Sequence, residues 1–159
     1  MIAYMLTWTT YGTWLQGDER GYCKDGKTLA ANSGLYNSNY NSLKHKPVYL
    51  SDQQRDVAKN GIHQEAKRIG QHVYALTVRN NHIHLILEKT EDTIESTAHR
   101  YKRTATHVLR KEGVKGNVWT KGYDKRYCFN RDDLNARIEY VLNHEVAIVN
   151  KPPQQSCGG

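Results

Sequence analysis

Asn81-His82-Ile83-His84-Leu85-Ile86-Leu87 alternates two imidazoles with branched aliphatic side chains. On a strand, residues two apart share a face, so this spacing predicts that His82 and His84 project together while Ile83, Leu85 and Leu87 enter a core. His72 to Val78 reads as the preceding strand. Asn80-Asn81 between the two suits a tight hairpin turn, because Asn tolerates positive φ. Ile2 to Thr9, rich in Tyr, Trp and Thr, reads as a further strand. Helices are predicted from Ser51-Asp52 to about Ile69, ended by Gly70, and from Thr93 to Lys111, with Gly113 beyond. A last helix, capped by Asn130 or Asp132, runs through about Val146 and stops before Pro152-Pro153. Short extended pieces at Val118–Trp119 and Tyr127–Phe129 complete the order β, long loop, α, β, β, α, β, α. That order predicts an α+β fold, helices packed on an antiparallel sheet.

The long loop spans 11–48, a stretch of Gly, Asn, Ser, Asp and Lys without a clear period. A loop of that length inside a compact domain is expected to be functional, partly ordered or mobile. Residues 1–153 read as one domain and Gln154 to Gly159 as a flexible tail. No apolar run approaches the ~20 residues that a bilayer requires, so no membrane partner is expected. The chain enters a strand pattern at once, with no basic leader, and a cytoplasmic, nucleoid-associated place is expected. Cys23, Cys128 and Cys157 are far apart and show no CxxC spacing, which argues for free thiols over a disulfide or cysteine–zinc framework.

Charge is unevenly placed. Of a formal net charge of +7, all falls between Arg100 and Arg126, where nine basic residues face only Glu112 and Asp124. Tyr101, Trp119, Tyr123 and Tyr127 are interleaved with them. Cations that attract phosphate, alternating with rings on which bases stack, predict a nucleic-acid partner. Arg100, Arg103, Lys121, Lys125 and Arg126 are the candidate nucleic-acid contacts, together with Arg137 one turn before Tyr140.

In Arg137-Ile138-Glu139-Tyr140-Val141-Leu142-Asn143-His144, Tyr140 and His144 are four apart and share one helix face. Val141 and Leu142 are expected to dock the helix on the sheet. If the Tyr140 face lies over His82 and His84, His144 becomes a third imidazole and the Tyr140 hydroxyl stands beside it. Two neutral imidazoles side by side on a strand are half of a metal site, which a third would extend, or else a pair of surface histidines on the sheet's polar face. A phenol, weakly nucleophilic at neutral pH, gains from a metal that polarises the phosphate it attacks.

These residues resemble the HUH single-tyrosine DNA transposases, most closely the branch of REP-associated tyrosine transposases. His82-Ile83-His84 matches the histidine–hydrophobic–histidine motif. Thr7-Trp8-Thr9-Thr10-Tyr11-Gly12-Thr13-Trp14-Leu15, with Gly17-Asp18-Glu19-Arg20-Gly21, resembles an amino-terminal signature of one subgroup. Gly116 to Tyr127 resembles the segment before the catalytic helix, and Tyr140 and His144 fall where the family has its nucleophile and third metal ligand. The resemblance implies a ferredoxin-like core and cleavage of single-stranded DNA beside a hairpin, with Mg²⁺ or Mn²⁺, by a monomer or homodimer. Tyr140 would form a 5′-phosphotyrosine link and release a 3′-OH, with His82, His84 and His144 on the metal. The family usually has Asn or Gln where His144 stands; Asn143, through its amide oxygen, is the alternative ligand. Three imidazoles favour Mn²⁺ over the oxygen-seeking Mg²⁺. Two other readings stay open: an HUH replication or transfer nickase, and a noncatalytic single-strand nucleic-acid binder of the same fold.

Overall fold

A computed structural model describes residues 1–24 and 27–146, with the backbone alone of residues 23 and 144–146. The strands are β1 (Ala3–Thr9), β2 (Tyr22–Lys24), β3 (Lys27–Leu29), β4 (Val73–Val78), β5 (His82–Glu88) and β6 (Asp124–Cys128). The helices are α1 (Ser33–Asn41), α2 (Asp52–Ile69), α3 (Ile94–Lys111) and α4 (Arg131–Val146). The expected 154–159 tail lies outside the described residues, as does Cys157.

Helix ends follow the chemistry of their sequences. The Ser51 hydroxyl accepts from the Gln54 N–H while the Gln54 side chain accepts from the Ser51 N–H, a reciprocal cap at the start of α2. Gly70 ends that helix at φ 72°, where its N–H reaches back to Ala66 and Lys67. Thr93 caps α3 through the Ser96 N–H, and Asn130 caps α4 through the Asp133 N–H.

The main sheet has the order β4-β5-β1-β6, antiparallel throughout, as the α+β expectation requires. Strand β5 is central, and alternation sends its residues to two different cores. Ile83, Leu85 and Leu87 join Tyr4, Leu6 and Trp8 of β1 beneath α2 and α3, which contribute Ile62, Ala66, Ala98, Ala105 and Leu109. Ile86 joins Ala3, Met5, Ala75 and Cys128 beneath Leu134 and Val141 of α4. Each fully buried Leu or Ile contributes about 1.5–3 kcal/mol. Val141 docks α4 as expected, but Leu142 does not: one residue further round the helix, it is 48% exposed. Cys128 is a buried free thiol whose burial pushes its pKa up. Among the described residues, no helix is long and apolar enough to cross a membrane.

The 11–48 segment is more ordered than its lack of period suggests. It holds the β2–β3 hairpin and α1, fixed by particular contacts. The Arg20 guanidinium lies 4.4 Å over the Trp14 ring, donates to Asp18 at 2.6 Å and reaches the Thr13 carbonyl at 2.8 Å. Burial alone would raise the Asp18 carboxyl, but its bonds from Arg20 more than reverse this and hold it below the ordinary value. Gly17, at φ 92°, meets α1 so closely that a Cβ would stand 2.4 Å from the Tyr36 nitrogen. His45 stacks on Tyr11 with centroids 4.3 Å apart and accepts from the Asn117 N–H at 2.9 Å, tying the segment to the loop before β6. Trp8 and Trp14 are buried and serve as structure.

Candidate active site

Because β5 is flanked by β4 and β1 and covered by α4, its polar face is enclosed. His82 and His84 are 3% and 1% exposed, with ring centroids 5.0 Å apart. Buried imidazoles need hydrogen-bond partners. His82 Nδ1–H donates to Asn81 Oδ1 at 2.7 Å, and His84 Nδ1 bonds to Thr7 Oγ1 at 2.7 Å. Because the Asn81 oxygen can only accept, His82 carries its proton on Nδ1 and its lone pair on Nε2, the tautomer of a ligating histidine held through its other nitrogen, while the Thr7 hydroxyl, which can donate or accept, orients the His84 ring through Nδ1. This donor set fits a divalent cation that accepts imidazole. Among the described residues, no group of three His, Cys, Asp or Glu side chains is arranged to hold a metal. The expected third ligand, His144, is on α4, and its side chain lies outside the described residues.

The support of His84 leads to one expected result. Thr7→Val keeps the shape of the side chain but removes the hydroxyl, and should weaken Mn²⁺ binding by about 10- to 100-fold. Titration calorimetry reads this directly. Thr7→Ser should bind as wild type does, and equal affinity in Thr7→Val would remove Thr7 from the site.

Strand register places four polar side chains in one row across the sheet: Thr77, His84, Thr7 and Asp124. All four belong to the face under α4. The Thr77 hydroxyl donates to the Val141 carbonyl at 3.2 Å, pinning α4 over this row. Asp124 is nearly buried and accepts from Arg126 Nε at 3.2 Å. Tyr140, one residue before Val141, completes the arrangement. Its ring lies 5.6 Å from that of His84, at 68°, and its side chain is 44% exposed. The strand face and the helix face do meet. A partly solvated phenol beside a buried imidazole pair can reach a phosphate that enters from solvent.

The sheet divides the basic residues. Arg126 pairs with Met5 and so shares the face of His84. Arg137 lies beside Tyr140 in a cleft of about 410 Å³. Lys125 pairs with Leu6 and lies on the opposite face. Arg100 and Arg103 are on α3, also across the sheet, and Arg100 is bonded to Asp92 at 2.8 Å. Lys121 is exposed in the turn before β6. Lys102 supports that turn by donating to the Thr120 and Gly122 carbonyls at 3.0 and 2.8 Å, and burial lowers its pKa to about 8. The interleaved aromatics divide as well. Tyr101 is fully buried, its hydroxyl donating to Gln71 Oε1 at 2.9 Å and its pKa raised by burial. Trp119 packs edge-on against Trp8 and donates to Thr106 Oγ1 at 2.9 Å. Tyr101 offers no face to a base, so the basic stretch is not one continuous stacking track.

Sequence reasoning passed over Thr7, Asp124 and Phe129. Thr7 and Thr9, two apart on a strand, signal a polar stripe, but only the β1–β5 register brings Thr7 to His84. Asp124 was legible merely as a charge opposing its basic neighbours. Phe129 gave no signal beyond being the single phenylalanine.

A family model described as "Transposase IS200 like" matches residues 38–144. No curated protein matches the chain. Among solved structures, a REP-associated tyrosine transposase bound to a REP hairpin is similar at 15% identity and a TM-score of 0.57, covering 91% of this chain and 67% of that one. A candidate transposase from Deinococcus radiodurans R1 is similar at 17% identity and a TM-score of 0.53, covering 91% and 90%. At these identities the likeness is one of fold.

Proposed function

Since the chain belongs to the IS200-like transposase family, we propose that it nicks and rejoins hairpin-bearing single-stranded DNA through a 5′-phosphotyrosine link at Tyr140. The observation that carries this reading is the Tyr140 ring seated 5.6 Å from His84, over the buried histidine pair. In the forward step the Tyr140 oxygen attacks phosphorus, the bond from phosphorus to the 3′ oxygen breaks, and the phenol loses its proton as the 3′ oxygen gains one. The phosphate ester is kept, one bond for one bond, so a second 3′-OH can reverse the step and join strands without another energy source. His82 and His84, with His144 as the third ligand, would hold a divalent cation, which would supply charge neutralisation at the scissile phosphate. Asn81 fixes the tautomer of His82, Thr7 orients the ring of His84, and Thr77 holds the nucleophile's helix over them. Arg137, in the cleft beside Tyr140, steadies the phosphate. That a structurally similar transposase is bound to a REP hairpin supports a hairpin substrate here. Its working unit is a monomer or a homodimer.

The test is incubation with labelled hairpin single-stranded DNA and Mn²⁺, followed by a denaturing gel. A covalent protein–DNA band is expected, and no band across varied hairpins would refute the reading. Mn²⁺ should support more adduct than Mg²⁺ at matched concentrations. Equal yields would count against His144 as a ligand.

A further inference from the structure

Phe129 is the single phenylalanine of the chain, and it is 63% exposed. It directly precedes Asn130, the cap of α4, at the position from which an apolar side chain ordinarily folds back on the fourth residue of the helix. That fourth residue, Leu134, is buried, yet Phe129 remains outside. Its backbone is held nonetheless: the Phe129 N–H donates to Asp133 Oδ2 at 2.9 Å, and the Asp133 N–H donates to Asn130 Oδ1 at 2.9 Å. A fixed backbone therefore presents an apolar ring to solvent.

Tyr127, two residues earlier on the edge strand β6, is 40% exposed, and its ring lies 6.0 Å from that of Phe129. Opposite the pair, α4 contributes Asp133, Ala136, Arg137 and Tyr140, spaced as one helix face. These residues line the 410 Å³ cleft, which is of a size for one small ligand group. Two exposed rings, a guanidinium and the candidate nucleophile thus open onto the same space. A ring stacks on any base that has a free face, and the bases of a duplex have none.

We propose that this cleft holds an unpaired nucleobase of single-stranded DNA next to the scissile phosphate, stacked on Phe129 with Tyr127 at its edge, while Arg137 meets the adjoining phosphate. The inference rests on Tyr140 being the nucleophile that faces DNA. Stacking tolerates any base, so the cleft selects for single-strandedness rather than for sequence. It also explains an apolar ring kept exposed beside a polar site.

The test measures equilibrium binding of a labelled single-stranded oligothymidylate to wild type, Phe129→Ala and Phe129→Trp, in EDTA so that no strand is cut. Phe129→Ala should bind more weakly by between about fivefold and a hundredfold, the range for loss of one base–aromatic stack. Phe129→Trp should restore wild-type affinity, and a duplex of the same length should not distinguish wild type from Phe129→Ala. Equal single-strand affinity in Phe129→Ala, no rescue by Trp, or an equal loss on duplex would each overturn the inference. Because binding is read without cleavage, a missing covalent band in wild type would refute the nucleophile alone, and an unchanged Phe129→Ala would refute the stacking cleft alone.

Discussion

Tyr140→Phe is expected to eliminate the covalent protein–DNA band and to lower strand cleavage by at least about a thousandfold, as loss of a nucleophile does. The substitution removes one oxygen from a side chain that is 44% exposed, so the fold has little cause to change. The ring that lies against His84 is kept. Hairpin binding, measured in EDTA, should therefore persist in the variant. A loss of cleavage with retained binding separates the chemistry of the hydroxyl from the packing of the ring. If Tyr140→Phe still gave an adduct, another residue would be the nucleophile.

The second large effect is expected at the histidine pair. His84→Ala should weaken Mn²⁺ binding by more than about a hundredfold, beyond what the loss of an outer partner causes. It should also cost about 1–3 kcal/mol of stability, because the buried Thr7 hydroxyl loses its partner at 2.7 Å. Calorimetry with Mn²⁺ and thermal denaturation without metal read these two consequences apart. His82→Ala should reproduce the metal defect, with Asn81 Oδ1 as the group left unpaired. Retention of metal-supported cleavage in either variant would show that the pair is not the metal site.

Much of the fold was legible because local chemistry and global structure agree. Ser51, Thr93 and Asn130 cap the helices expected of them, Gly70 ends α2, and the His82–Leu87 alternation divides two cores as a period of two must. What was hidden depends on pairing between distant segments. Thr7 reaches His84, and Asp124 joins their row, through strand register that local composition does not encode. The elements within the 11–48 segment were not legible because they are ordered by single contacts, such as Arg20 on Trp14 and His45 on Tyr11, rather than by a periodic apolar face.

The charge shows the limit of linear reading most clearly. Arg100 to Arg126 is one block in sequence but passes from α3, beneath one face of the sheet, to β6 at its edge. Arg126 consequently faces the His84 side while Arg100, Arg103 and Lys125 do not. Tyr140 was legible as a residue of the last helix, sharing a face with His144 four residues on, but its distance to His84 exists only in three dimensions.

The central claim, that Tyr140 links covalently to the 5′ end of a cleaved strand, is tested most directly by mapping the adduct. Wild-type protein is incubated with hairpin single-stranded DNA and Mn²⁺, digested with protease and nuclease, and sequenced by mass spectrometry. A nucleotide phosphate carried by the peptide containing Tyr140 is the predicted result. The same modification on any other of the eleven tyrosines, or on none, would contradict it.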